Sequence, residues 1–508
     1  MWSALAVVGG VALLLVATSP LLPITWDEGD SFRRAHQIFD GQWEFTTQRE
    51  GHPAGYAVVI AAGWWLTQGW LSPLTAIRFG PMVLFAFAAG AMFHRLAKEH
   101  SFAAGLGGVA AILLLPRMFA HAHVAAGDGP LTACWLLAWA TFTPAKNGWK
   151  GACVWGGMLG LTLSMKATGW LAPVPFILWV VLYRDRAAAR ALGIGLPIAL
   201  GVFLLLNPPL WTQPMDGLTA FFQLNTGRAG MGLNLSTQFL GRMYNLDHPL
   251  PWHNTLLWTA VTVPLGLLVL AGIGSVAILR RPRDRSADVL ILLNWLTLLV
   301  VRALPGIPVH DGVRLFLPSF AFLAALAGVG VHEACQWAVR RRLTDWRPRI
   351  LVSTALGLIS IACLTNLVVY SPQWLSYYNV LIGGLPGAAA AGMEPTYWWD
   401  SLDANSLAWL NAHTTEGEKI RFAAPSADSI TLLSQWGLLR RGWHPAQPGR
   451  YRWYVLQHRP SAWLPCDRWL LENAVPAYRR TLLGVPLLSV YHYRDLEPCE
   501  PEALAPNH

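Results

Sequence analysis

Residues 3–22 read SALAVVGGVALLLVATSPLL, a run of twenty residues without a charge. A helix of roughly 20 apolar residues can cross the hydrocarbon core of a bilayer, and comparable runs recur along the chain. Of the 508 residues, 54% are hydrophobic and only 13% are charged, whereas a soluble domain carries about 25% charged residues. The composition excludes a soluble globule, a disordered or fibrous chain and a disulfide-stapled mini-domain. It predicts an all-α polytopic membrane bundle.

The predicted spans follow from these runs and from the basic residues between them. Eleven runs predict transmembrane helices, at 3–22, 74–94, 102–120, 130–144, 151–165, 168–183, 191–207, 255–279, 289–304, 313–332 and 350–369. The first run lacks a positively charged n-region, which favours a span over a signal peptide. A twelfth run, 54–70, is ambiguous. If it does not cross and the N-terminus lies inside, every basic cluster falls on the cytoplasmic side, as the positive-inside rule requires.

These basic clusters are Arg95/Lys98, Lys146/Lys150, Arg184/Arg186/Arg190, Arg280/Arg281/Arg283/Arg285 and Arg340/Arg341/Arg342/Arg347/Arg349. We therefore predict a multi-pass protein of the inner (plasma) membrane with its N-terminus in the cytoplasm. The uncharged 54–70 segment, which contains Trp64, Trp65 and Trp70, is expected to lie along the outer interface.

Two domains follow from this topology. A transmembrane domain is predicted over 1–370, with outer loops at 23–73 and 208–253, and a small extracytoplasmic α/β domain over 371–508. The tail is more polar and alternates helical stretches with short β-like runs. The helical stretches are 402–413, 426–439 and 463–474, and the β-like runs are 420–424, 453–457 and 486–493. Cys466 and Cys499 lie in this domain, and an oxidising compartment would allow them to pair.

Several classes of function have no support in the sequence. The net charge of +9 is divided among short clusters between apolar runs, which is typical of topology determinants rather than of a nucleic-acid surface. There is no P-loop and no GxGxxG after a strand. His121 and His123 could ligate a metal, but no third ligand is in view. We expect no required cofactor, although a divalent metal stays open, and we expect any chemistry to face outward.

Three carboxylates are candidates for catalysis on that face. Asp27 and Glu28 directly follow the first span, and Asp128 lies between two apolar runs. Asp27 and Glu28 are either solvated loop acids or paired carboxylates suited to general-base chemistry. Asp128 either caps the helix that begins near Pro130 or has a functional partner, since a carboxylate at this depth is costly.

Two cations complete the candidate site. Lys166 lies at the outer end of a span, where the positive-inside bias disfavours it, and Arg314 follows Asp311 in Asp311-Gly312-Val313-Arg314. Lys166 is either an interfacial lysine that snorkels or a ligand of a lipid phosphate. Arg314 is open to the same phosphate role or to an ion pair with Asp311. Together these residues are suited to transferring a group from a phosphorylated lipid.

The order of these motifs resembles the GT-C glycosyltransferases, in the family of protein O-mannosyltransferases and the lipid A aminoarabinose transferase. The matching pieces, over roughly 1–400, are Asp27-Glu28, Gly51-His52-Pro53, Arg78, Asp128, Lys166, Asp311-Gly312-Val313-Arg314 and Leu375-Ser376-Tyr377-Tyr378-Asn379. The resemblance implies an inverting transfer on the outer face from a polyprenyl-phosphate sugar to a protein, lipid or glycan acceptor.

The same resemblance assigns roles to individual residues. It implies that Asp27, Glu28 and Asp128 are catalytic: Asp27 would take the proton of the acceptor hydroxyl or orient it, and Asp128 would orient the acceptor or the cations. Lys166, Arg314 and Arg78 would hold the departing phosphate. A further set, which would contact the acceptor or shape the loop, is His52, Pro53 and Asp311.

Two other functions stay open at this point. In a transporter or flippase the buried charges would line a pathway, but here they cluster at one face and no internal repeat is visible. In a non-catalytic envelope-assembly protein, the 371–508 domain would carry the binding or assembly function.

Overall fold

A computed structural model describes residues 2–42, 51–226, 235–307, 310–340, 347–424, 426–443 and 450–499. The chain is mostly helical, with a short β-hairpin between Thr237 and Tyr244 and a sheet near its C-terminus. The helices of the N-terminal part are α1 (Trp2–Thr18), α2 (Trp26–Phe39), α3 (Gly55–Thr67), α4 (Pro73–Glu99), α5 (Phe102–Leu113), α6 (Pro116–His123), α7 (Asp128–Ala145), α8 (Trp149–Met165), α9 (Pro173–Tyr183), α10 (Arg186–Leu205), α11 (Pro209–Thr212), α12 (Pro214–Thr226), α13 (Asn254–Thr262), α14 (Leu265–Arg280), α15 (Ser286–Arg302), α16 (Leu317–Arg340) and α17 (Arg347–Val369).

Each of the eleven predicted runs overlaps one of these helices or a pair of them. Within the described residues, five helices are long and apolar enough to cross a membrane, or six if the bent pair α5–α6 forms one span. That pair bends by 77°, at the point where Pro116 begins α6 and cannot continue the hydrogen bonds of the preceding turn. The predicted polytopic helical class is therefore confirmed, and the count of eleven spans stays a prediction.

The helices approach closely where a glycine meets another backbone. α14 and α16 cross at Gly274 and Gly330, and a Cβ at Gly330 would collide with the carbonyl oxygen of Leu270. Within a membrane, helices associate through such small-residue contacts because the lipid offers no hydrophobic driving force between them. This packing fixes α16, whose N-terminal end follows Arg314.

The C-terminal part contains α18 (Gly384–Ala390), α19 (Ala404–His413), α20 (Ala427–Gln435) and α21 (Pro465–Asn473). The hairpin strands are β1 (Thr237–Phe239) and β2 (Arg242–Tyr244), and the strands of the sheet are β3 (Glu418–Phe422), β4 (Arg450–Gln457), β5 (Tyr478–Leu482) and β6 (Val485–His492). The sheet has the order β3-β4-β6-β5, with β3 and β4 parallel and the other pairs antiparallel.

This sheet with its helices agrees with the predicted α/β pattern, except that β5 was not expected. Cys466 is buried at the start of α21. The side chain of Cys499 lies outside the described residues, so the pairing of the two cysteines stays a prediction.

Candidate active site

Asp27 lies in the first turn of α2, directly after the first membrane helix. The turn is ordered by a reciprocal cap, in which the Thr25 backbone N–H donates to Glu28 Oε2 at 2.9 Å. Such a cap satisfies backbone donors that the first turn of a helix leaves unpaired. Asp27 consequently projects from a fixed helix end, and 29% of its side chain is exposed.

Glu28 and Arg78 form a fully buried ion pair beside this turn. Arg78 donates to Glu28 from Nε at 2.7 Å and from Nη2 at 2.8 Å. The other bonds of the guanidinium go to the backbone oxygens of Ser19, Leu22 and Pro23. All five N–H groups of Arg78 are therefore engaged.

This pair bears on two roles predicted from the sequence, both of which stay predictions. Arg78 was expected at the donor phosphate, but its donors hold Glu28 and the turn between α1 and α2. Glu28 was expected to assist catalysis, but its carboxylate also accepts the Ala125 N–H at 3.0 Å and is 0% exposed. In the described residues, both side chains contact the first turn of α2 and the segment before it.

The other predicted charges converge on Arg314. Its Nε donates to Asp128 Oδ2 at 2.8 Å and its Nη1 to Asp311 Oδ2 at 2.7 Å, while Nη2 pairs with Asp27. Lys166 Nζ donates to the second oxygen of Asp128 at 2.6 Å. We call Asp27, Asp128, Lys166, Asp311 and Arg314 the charge cluster. Sequence separations of up to 287 residues are thus closed by the fold.

The members of the charge cluster differ in exposure. Asp128 is 3% exposed and holds two cations, whereas Asp27 is the most exposed of the three carboxylates. Burial raises the pKa of Asp27, although Arg314 opposes this. Burial would also raise the pKa of Asp311, but Arg459 and Arg314 lower it to about 2. Asp27 is therefore the carboxylate of the charge cluster most open to its surroundings, and Asp311 remains ionised at neutral pH.

A cavity of about 230 Å³ opens beside Lys166. Its wall is largely apolar, and its polar side chains are His52, Lys166, Thr168, Asn225, Arg302 and His310. His52, expected to contact the acceptor or to shape the loop, therefore faces this cavity. Pro53 is buried directly after it, and the next residue donates its backbone N–H to Asn207 Oδ1 at 3.0 Å. A largely apolar wall that includes the cations Lys166 and Arg302 suits a lipid phosphate.

Arg302 is a cavity residue that the sequence analysis missed. It ends α15, is 6% exposed, and donates from Nη2 to the His310 carbonyl oxygen at 3.1 Å. Its Nε and Nη1 have no hydrogen-bond partner in the described structure. An unpaired buried donor is costly, so this guanidinium is suited to an anionic ligand. Its position at the outer end of a predicted span was a signal like that of Lys166.

The two histidines near Asp128 have separate partners. His121 Nε2 bonds to the Tyr397 hydroxyl at 2.7 Å, and His123 Nε2 bonds to Thr18 Oγ1 at 2.8 Å. Across the described ranges, no group of three His, Cys, Asp or Glu residues could hold a metal ion. The two rings therefore join helices to their neighbours.

Comparisons with known proteins support the fold. Neither a family model nor a curated protein sequence matches this chain. ArnT from Cupriavidus metallidurans bound to undecaprenyl phosphate matches with a TM-score of 0.53 and 13% identity, over 96% of this chain and 97% of that chain. Its apo structure matches with a TM-score of 0.54 and 13% identity, over the same shares of 96% and 97%.

A second solved protein matches over most of the chain. The archaeal oligosaccharyltransferase AglB from Archaeoglobus fulgidus, in complex with an inhibitory peptide and a dolichol-phosphate, has a TM-score of 0.52 and 11% identity, over 90% of this chain and 69% of that chain. At such identities the similarity shows the fold alone. The chain shares the fold of ArnT and AglB, and this confirms, at the level of the fold, its resemblance to the GT-C glycosyltransferases.

Proposed function

We propose that this protein is an inverting glycosyltransferase that moves a sugar from a polyprenyl-phosphate carrier to an acceptor on the outer face of the membrane. The observation that carries the proposal is a network of ion pairs that joins an accessible carboxylate, Asp27, through Arg314 and Asp128 to Lys166. Lys166 lines a largely apolar cavity together with Arg302, two of whose donors have no partner within the described residues. The solved neighbours support the donor class, since ArnT was solved with undecaprenyl phosphate and AglB with a dolichol-phosphate.

In the proposed reaction, Asp27 accepts the proton of the acceptor hydroxyl as that oxygen attacks the anomeric carbon. The bond from this carbon to the phosphate oxygen breaks in the same displacement, and the electron pair leaves with the phosphate. Attack from the side opposite the phosphate inverts the anomeric configuration. This displacement needs no acid catalyst, because phosphate is a good leaving group.

The phosphate is assigned to Lys166 and Arg302, the lysine and the arginine that line the cavity. Arg314, expected to share the phosphate with Lys166, already donates to three carboxylates. We therefore give Arg314 the role of holding Asp27 in place, and it can lend positive charge to the leaving group from nearby. Charged donors that are already in position where charge develops lower the barrier because they need no reorganisation.

The transporter and assembly-protein alternatives receive no specific support. The charge cluster lies at one end of the helices and contains the parts of a group-transfer site. The acceptor class, whether protein, lipid or glycan, is left to experiment, although one AglB complex holds a peptide.

Loss of the protein should leave its donor unused, and this tests the function. We expect a deletion strain to accumulate a polyprenyl-phosphate sugar and to lack one glycoconjugate of the cell envelope, both measured by mass spectrometry. Wild-type protein should reverse both changes, and Asp27→Asn should reverse neither. An unchanged lipid and glycan profile in the deletion strain would overturn the proposal.

The orientation in the membrane is also proposed: eleven spans, N-terminus inside and C-terminal domain outside. α7 begins at the charge cluster and ends beside Lys146, which pairs with Asp185 at 2.6 Å. α15 runs in the opposite direction, from beside Arg285, which pairs with Glu333 at 2.5 Å, to Arg302 at the cavity. α7 has 18 residues, so it separates the two ends by about 27 Å, close to the thickness of the hydrocarbon core.

Reporter fusions test this orientation. Fusions after residues 98, 285 and 347 should report a cytoplasmic location, and a fusion after residue 390 should report an external one, because basic clusters are retained inside. A cytoplasmic signal at 390 would place the charge cluster on the wrong face for the proposed donor and contradict the topology.

Substitution of Arg302 should weaken donor binding more than it affects folding. A hydrogen bond to a charged group contributes roughly 1.5–3 kcal/mol. Arg302→Met should therefore raise the Kd for undecaprenyl phosphate by about tenfold to a hundredfold. Binding is measured by native mass spectrometry on the purified full chain. Arg242→Met, at an exposed arginine of the outer hairpin, is the control and should leave the Kd unchanged. Equal Kd values for both variants would remove Arg302 from the phosphate site.

A further inference from the structure

The C-terminal domain reaches the charge cluster through Arg459, which follows β4. This side chain is 3% exposed. Its Nη2 lies 3.0 Å from Asp311 Oδ1, and its Nη1 donates to the Tyr397 carbonyl oxygen at 2.7 Å. The guanidinium lies over the ring of Trp399, with 4.1 Å between Cζ and the ring centroid. Arg459 is therefore held from several sides and has little freedom to move.

Asp311 is consequently shared between two arginines. Oδ1 faces Arg459, and Oδ2 accepts from Arg314 Nη1 at 2.7 Å. Because each oxygen has its own arginine, the carboxylate is fixed in rotation. Arg314 in turn donates to Asp27. A continuous chain of charge-assisted bonds thus runs from the C-terminal domain to the proposed base.

A second contact fixes the helix that carries Asp27. Ser429 Oγ, on α20, accepts the Gly29 N–H at 3.1 Å and lies 3.0 Å from the backbone oxygens of Thr25 and Trp26. Gly29 has no room for a Cβ, which would collide with the Ser429 backbone. The C-terminal domain therefore contacts both α2 and the loop that carries Asp311.

We propose that Arg459 is a positioning residue for the transfer, through which the C-terminal domain completes the active site. The inference rests on the proposed function and deepens it. Arg459 orients Asp311, Asp311 orients Arg314, and Arg314 holds Asp27 where the acceptor hydroxyl must lose its proton. Since a misplacement of about 1 Å can cost 10²-fold in rate, loss of Arg459 should act on turnover and not on donor binding.

Arg459→Gln tests the proposal. We expect the rate of product formation at saturating donor to fall by about tenfold to a hundredfold. This rate is measured in membranes of the deletion strain that carry each variant. The Kd of the purified full chain for undecaprenyl phosphate should stay within twofold, because Arg459 does not line the cavity. A merely structural role would lower the amount of folded protein without separating turnover from binding.

The matched control is Arg480→Gln. Arg480, on β5, is likewise held by contacts, here within the C-terminal domain, with Nε 2.7 Å from Asp403 Oδ2 and Nη2 3.1 Å from Gln373 Oε1. It does not contact the charge cluster. We expect this variant to keep its rate per folded molecule even if its melting temperature falls as far as that of Arg459→Gln. Equal losses of rate in the two variants would overturn the proposal.

A conservative variant covers the case in which Arg459→Gln does not fold. Arg459→Lys keeps the charge but cannot bond to Asp311 and to the Tyr397 carbonyl with the same planar geometry. It should fold and retain an intermediate rate, and a full wild-type rate would count against the positioning role. If the wild-type protein forms no product, the proposed function fails. If Asp27→Asn is inactive and Arg459→Gln is fully active, only the present inference fails.

Discussion

Asp27→Asn should lower the rate of transfer by about 10²-fold or more, the range expected on removal of a general base. The substitution removes one negative charge with almost no change in volume, so α2 and its contacts should persist. The rate is measured as product formation in membranes of the deletion strain, and binding of undecaprenyl phosphate to the purified variant should be near that of the wild type. The effect is expected to be large because Asp27 is the accessible carboxylate of the charge cluster.

The control for this prediction is Asp30→Asn on the same helix. Asp30 has the same exposed fraction as Asp27, 29%, and pairs with Arg33 and Arg34 instead of Arg314. The two variants therefore lose the same charge from equally exposed positions one turn apart. Asp30→Asn should retain most of the activity. A near wild-type rate in Asp27→Asn, or the same loss in both variants, would exclude Asp27 as the base.

Much of the charge cluster could be predicted because a membrane restricts where charges are tolerated. Asp128 and Lys166 stand out against apolar surroundings, and the alternation of inside and outside assigns them to one face. Arg302 carries the same signal, since it also ends a predicted span on its predicted outer side. The predicted topology thus assigns distant charges to the same face of the membrane. It does not predict which of them form ion pairs.

Arg78 shows where that reasoning fails. In the sequence it is another cation near the outer end of a span, equivalent to Lys166. Its donors are bound by Glu28 and by three backbone carbonyls that follow α1. Backbone acceptors are present at every residue, so the sequence pattern cannot show which of them Arg78 binds. The same holds for Arg459, because no local pattern in the C-terminal domain indicates a contact with Asp311.

The positions of the helices could be predicted from the sequence, but their breaks and one strand could not. Span positions follow from apolar length, because the hydrocarbon core sets how many residues a helix needs. The break before Pro116 and the division between α13 and α14 next to Pro264 lie within predicted runs, where hydropathy alone does not reveal them. β5 was missed because Tyr478–Leu482 contains Arg479 and Arg480 and has little hydrophobic signal.

Arg78→Met should cost the most stability of the changes considered. The Arg78–Glu28 pair is 0% exposed on both sides, and removing one partner of a buried pair leaves the other charge uncompensated, at about 3–5 kcal/mol. The backbone oxygens of Ser19, Leu22 and Pro23 also lose their donors. We expect a lower melting temperature for the purified chain in detergent. Lys146→Met is the control, because its pair with Asp185 is 27% and 24% exposed and exposed pairs contribute about 0–1 kcal/mol.

The double variant Glu28→Gln with Arg78→Met separates the pair from the other contacts of its members. Residues in one buried network couple, so the two losses should not add, and the double variant should be more stable than the sum of the single losses predicts. If Arg78 instead bound the donor phosphate, Arg78→Met would weaken binding of undecaprenyl phosphate and leave the melting temperature unchanged. The structural role requires the opposite pattern in folded protein, because every donor of Arg78 is already used beneath α2, where it supports the helix that presents Asp27.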